Sequence, residues 1–129
     1  ALDAFPTCPG LRVVHLQGAC DDKLLWDGNL DLMGTLPDDC SGTPSSNVPT
    51  YPILETAKML YQSSDGPGDY DPLPTTISEP VSGISYSKGS VFVIRVDGVG
   101  HSQAAFTPFR RKFIRMAIGL QDSLSGVED

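Results

Sequence analysis

Val91, Phe92, Val93 and Ile94 form the densest apolar run in the chain, and glycines at 89 and 98 bracket the segment that carries it. Three of the four are β-branched, and the fourth, Phe92, also favours extended backbone. A run this short, closed by glycines, predicts a strand buried on both faces. Arg95 and Asp97 leave the run on one face while Val96 stays on the other, so the strand starts in the core and ends at the surface.

Other elements are placed around it. Ile84–Tyr86 reads as a short strand entering the central one through a hairpin at Ser87-Lys88-Gly89. Leu11–Gln17 reads as a strand with Leu11, Val13, His15 and Gln17 on one face and Arg12, Val14 and Leu16 on the other, partly buried on both. In Lys23–Leu36, Trp26, Leu30 and Leu32 alternate with Asp27, Asn29 and Asp31, which favours one strand bulged at Gly28. The rival reading is a turn at Asp27-Gly28. Pro52–Gln62 has helical spacing in Ile53, Ala57, Leu60 and Tyr61, with Thr50 as its cap, Pro52 in its first turn and a stop at Asp65–Gly68. Thr107-Pro108 and the spacing of Phe109, Phe113, Ala117 and Leu120 favour a helix over Pro108–Leu120, with a strand pairing to Val91–Asp97 as the alternative. Eight of the eleven prolines fall between Pro37 and Pro80. The stretches Pro37–Pro49 and Asp65–Pro80 therefore read as long loops, the usual seat of binding surfaces on a rigid scaffold.

The chain has 129 residues, which suits one domain, with 1–10 as a connector from a preceding one. No apolar run approaches the roughly 18 residues of a membrane span. Nine Lys plus Arg against sixteen Asp plus Glu give a net charge of −7, which disfavours nucleic-acid binding through phosphate neutralisation. Cys8, Cys20 and Cys40 are odd in number and lack C-x-x-C spacing. They read as small reduced thiols, with one disulfide plus a free thiol as the rival.

Candidate chemistry is sparse. Asp27, Asn29 and Asp31 have the spacing that opens a calcium loop, but Leu32 stands where the loop needs Gly and Asp38 where it needs Glu. On a strand these three are simply the solvated face. His101 precedes Ser102 in a glycine loop and His15 lies in a strand, without the third group that a nucleophilic triad requires. No phosphate-binding glycine loop is present. The sequence thus points to no catalytic residue, metal or cofactor. Arg110, Arg111, Lys112 and Arg115 gather four of the nine basic residues, as a solvated helix face or a contact for an acidic partner.

The stretch Asp65-Gly-Pro-Gly-Asp-Tyr-Asp-Pro-Leu-Pro-Thr-Thr-Ile-Ser-Glu-Pro-Val-Ser-Gly-Ile-Ser-Tyr86, with Gly89–Asp97 and Phe109-Arg-Arg-Lys-Phe-Ile-Arg-Met116, resembles the C-terminal part of shrimp and prawn nodavirus capsid proteins, and Leu30-Asp-Leu-Met-Gly34 is compatible with it. The resemblance implies the protruding domain of such a capsid, a structural β-rich unit without enzyme activity. Such a domain pairs into homodimeric spikes on the virion surface, is made in the host cytoplasm, and presents a host-cell attachment surface without entering the membrane. The expected fold is mainly β, a compact antiparallel sandwich or barrel-like domain with one or two short helices and long proline-rich loops. Val48, Tyr70, Leu73 and Ile77, on those loops, are the expected interface anchors. The alternative function is a carbohydrate-binding module of a secreted protein, with Trp26 or Tyr70 stacking on sugar.

Overall fold

The computed structural model describes residues 9–44, 48–79, 81–101 and 103–124. Its elements run β1 (Val13–Gly18), α1 (Ile53–Asp65), β2 (Leu73–Ile77), β3 (Gly83–Lys88), β4 (Val91–Val96), a 3-10 segment (Gln103–Phe109) and α2 (Arg110–Ala117). The four strands form one sheet in the order β1-β4-β3-β2. β2, β3 and β4 are antiparallel neighbours, and β1 pairs parallel with β4, Val13 opposite Val91 and Gly18 opposite Val96.

The apolar run sits at the centre, as its composition predicts. Strand side chains alternate between faces, and both faces of β4 are covered. Phe92, Ile94 and Val96 pack with Ile77, Phe109, Met116 and Leu124. Val91 and Val93 pack on the other side with Ile53 and Ala57 of α1. α1 and α2 thus lie on opposite faces of the sheet. The molecule is a small α/β domain with an open mixed sheet. It is not a barrel, and helices stand on each side of the sheet where a sandwich places a second sheet.

The β3–β4 hairpin turns at Gly89-Ser90, with Gly89 at φ 57°, a conformation glycine adopts without steric cost. Gly83 opens β3 where a Cβ would stand 2.1 Å from the Arg95 carbonyl oxygen. Only glycine lets the two strands approach that closely.

Three expectations are corrected. Residues 23–36 are not a strand. Gly28 at φ 79° and Leu32 at φ 59° turn the chain twice, and the Gly28 N–H donates to the Leu25 carbonyl at 3.0 Å. No strand flanks Gly28 to make a hairpin, and the turn is centred on Trp26-Asp27 rather than on Asp27-Gly28. It drives Leu25 into full burial and presents the Trp26 carbonyl to the first N–H of α1, that of Ile53, at 3.0 Å. Thr50 consequently does not cap α1. Its hydroxyl oxygen is buried without a partner, and Pro52 occupies the cap position without a side-chain bond.

Second, the stretch 65–80 is not wholly loop, because it contains β2. Pro74 sits in that strand, which the sheet tolerates because β2 is an edge and a missing N–H on its outer side breaks no ladder.

Third, Cys20 and Cys40 are not free thiols. They form a disulfide with Cα atoms 5.4 Å apart, which ties the end of β1 to the loop after residue 37. Spacing along the chain could not show this proximity. Cys8 lies outside the described residues.

Candidate functional site

β1 is the sheet edge opposite β2, and among the described residues no strand pairs with its outer side. The N–H of Val13 points inward, to the Ser90 carbonyl at 2.8 Å, and the N–H of Ala19 does the same with Val96. Val14 and Leu16, at the alternate positions, therefore direct their backbone groups outward. Three hollows open along this edge, and His15 lines all of them.

The first hollow, about 300 Å³, lies between the sheet and α1, walled by Val13, Leu24, Ile53, Ala57, Leu60, Val91 and Val93, with Thr50 and Tyr51 at one side. The second, about 480 Å³, is on the α2 face among Val14, Leu16, Phe106, Arg110 and Phe113. The third, about 180 Å³, adjoins Gln17, Asp21, Gly100 and His101.

That third hollow lies past the C-terminal ends of the parallel strands β1 and β4, where open α/β sheets commonly bind ligands. Asp21 is buried, and both its oxygens are engaged. Oδ1 accepts from the N–H groups of Lys23 and Leu24 at 2.9 and 2.8 Å, an Asx turn. Oδ2 meets His101 Nδ1 at 2.7 Å. A carboxylate oxygen accepts, so Nδ1 carries a proton and a neutral His101 leaves Nε2 as an acceptor. Gln17 fixes His15 in a similar way. The Gln17 Nε2 donates to the Leu24 carbonyl at 2.6 Å, which turns its oxygen toward His15 Nε2 at 3.0 Å. His101 is thus an oriented base without a nucleophile bonded to it among the described residues, and Ser102 lies outside them. The pairing of Asp21 with His101 joins residues 80 positions apart, and only the Asx turn left a trace in the sequence.

The expected interface anchors do not share one environment. Val48 and Leu73 are exposed. Ile77 is 6% exposed and belongs to the core with Phe92 and Ile94. Tyr70 is half-buried. Its hydroxyl donates to the Val91 carbonyl at 3.2 Å, its ring lies 5.5 Å from that of Tyr61, and burial pushes its pKa up to about 12. Trp26 is engaged within the domain, against Tyr86 and beneath the Arg95 guanidinium at 5.5 and 5.3 Å.

Asp27, Asn29 and Asp31 do not converge. Asn29 is buried with its side-chain oxygen accepting from the Gly34 N–H at 2.8 Å, while the two aspartates are exposed. Among the described residues no group of three His, Cys, Asp or Glu is placed to hold a metal, and no helix is long and apolar enough to cross a membrane.

Of the basic cluster, Arg110 and Arg111 are exposed on α2, and Arg115 Nε donates to the Gln121 side chain at 2.9 Å. Arg12 instead fastens the end of α2 to β1, donating to the carbonyls of Met116 and Gln121 and to Asp122.

Comparison of the chain with family models, curated proteins and solved structures finds no match.

Proposed function

We propose that the chain is a structural, self-associating domain, the homodimeric spike unit of a capsid like those of the shrimp and prawn nodaviruses, exposed at the virion surface and facing the host cell. The observation that supports this best is the apolar character of its exposed loops. Leu30, Leu32, Met33 and Val48 are each more than half exposed, Met33 at 82%. Exposed apolar side chains that join into one patch favour protein contact over free solvation, and a closed two-fold pair buries such a patch against itself.

Like-charge repulsion opposes that pairing in a domain of net charge −7, so screening by salt strengthens it. Sedimentation of the pure domain across protein and salt concentration tests the reading. The expected result is a dimer favoured by salt and weakened about tenfold or more by Met33→Asp, consistent with loss of a buried apolar anchor. A strict monomer at the highest concentrations refutes it.

A carbohydrate-binding module of a secreted protein is the second reading, favoured by the Cys20–Cys40 disulfide, a bond that persists in oxidising compartments. Titration with neutral oligosaccharides separates the two. Saturable binding lost in Trp26→Ala, with the variant still folded, supports the module, and no binding removes it.

A further inference from the structure

We infer that the hollow past the C-terminal ends of β1 and β4 is an acyl-transfer site that cleaves esters of short acyl groups, with His101 Nε2 as the reacting atom and Asp21 as its positioning residue. This activity is independent of the self-association proposed above. The two side chains come from turns that follow adjacent parallel strands, where open α/β sheets commonly bind ligands. Asp21 is the buried partner, its side chain 8% exposed, and His101 is the accessible one, 51% exposed. The N–H groups of Lys23 and Leu24 hold Oδ1, which aims Oδ2 at His101 Nδ1, 2.7 Å away. Nδ1 then carries the proton, and the lone pair on Nε2 is the reactive one.

The pair is not needed to join the two turns. The Cys20 N–H already donates to the Val99 carbonyl at 2.8 Å, and the Cys20–Cys40 disulfide anchors the first turn. A buried carboxylate locked by two N–H groups and turned onto an accessible imidazole is the base-and-orienter arrangement of acyl transfer. Leu16, Leu24 and Phe106 give the hollow beside it apolar walls, and its volume is about 180 Å³. An apolar cavity of about 150 Å³ accepts benzene, so this one has room for an acyl chain of several carbons. The other polar side chains in its wall, His15 and Gln17, are bonded to each other. In the reaction, Nε2 attacks the carbonyl carbon, the bond to the leaving oxygen breaks, and that oxygen departs with the electron pair. The acylated imidazolium holds its charge beside the Asp21 carboxylate, which stabilises it. Water then attacks the acyl carbon, the C–N bond breaks and its electron pair returns to Nε2. The two protons of the water end on the carboxylic acid and on the leaving oxygen.

The probes are 4-nitrophenyl acetate and 4-nitrophenyl butyrate, followed by release of 4-nitrophenolate from the folded domain. The expected result is saturable release over many turnovers, faster for butyrate, with kcat/KM about tenfold or more above the second-order rate constant of N-acetylhistidine. His101→Gln should remove that excess. Asp21→Asn turns an amide donor onto Nδ1 and moves the ring proton to Nε2, so kcat should fall about tenfold or more while KM stays nearly unchanged. If a variant fails to fold, brief treatment of the wild type with diethyl pyrocarbonate decides, and His101 should be modified faster than N-acetylhistidine. Modification no faster than that overturns the inference. So do release no faster than with N-acetylhistidine, a single burst without turnover (acylation of exposed lysines), turnover that survives His101→Gln, or an unchanged kcat in folded Asp21→Asn.

Discussion

Tyr70 shows how a residue in a proline-rich stretch acquires a fixed role. Its hydroxyl reaches the Val91 carbonyl at the start of the central strand, and its ring rests against Tyr61 of α1. Burial favours the neutral phenol and raises its pKa to about 12. Ionisation of the unfolded chain then precedes that of the folded one. Stability is full below pH 10 and falls as the pH rises from about 10 to about 12. An ultraviolet titration should show one of the four tyrosines ionising well above the ordinary range, and Tyr70→Phe should remove that late step. Asp65 behaves oppositely. Burial raises its pKa, but hydrogen bonds from Ser64 and Ser90 outweigh this and hold it below the ordinary value. Its contribution is therefore present above pH 4 and lost as the pH falls. Such shifts were not legible in the sequence, because Ser90 and Asp65 are 25 residues apart.

At the scale of elements, β2 separates two residues that the sequence placed in one class. Leu73 is 70% exposed at one end of the strand and Ile77 is 6% exposed at the other. Ile77→Ala should cost about 2–4 kcal/mol in urea unfolding, as for a truncated core aliphatic. Leu73→Ala should change stability by no more than about 0.5 kcal/mol and weaken self-association if the loop surface forms the contact. The sequence could not divide them because residues four apart share one face of a strand, and only the packing decides which end of that face is covered. The helix over 52–62 was legible for the opposite reason. Ile53, Ala57 and Leu60 recur at a spacing that only a helical face explains, and the chain continues helical to Asp65 before Gly66 at φ 105° ends it. The 23–36 stretch misled because its alternation mimics a strand, while Gly28 and Leu32 hold backbone conformations that close turns.

Across the whole molecule, the disulfide and the parallel pairing hold distant parts of the chain together. Cys20 and Cys40 enclose a sequence separation of 20, for which loop-closure entropy gives about 3 kcal/mol. The double variant Cys20→Ser, Cys40→Ser should lose about that much in a denaturant titration, and reduction of the wild type should do the same. Unchanged stability in both would show that the loop after residue 37 contributes little. The sequence by itself determined the central strand, its hairpin with β3, and α1; over Pro108–Leu120 it left helix and strand open, and the fold chose helix, 3-10 to Phe109 and then α2 over Arg110–Ala117. The first three depend on neighbours along the chain: β-branching, glycine punctuation and the 3.6-residue repeat. Only the tertiary structure decided that β1 lies parallel to β4, that α1 and α2 cover opposite faces, and that Cys20 meets Cys40 and Asp21 meets His101. Each joins residues far apart in sequence, and no local pattern encodes which distant segment covers which apolar face of β4.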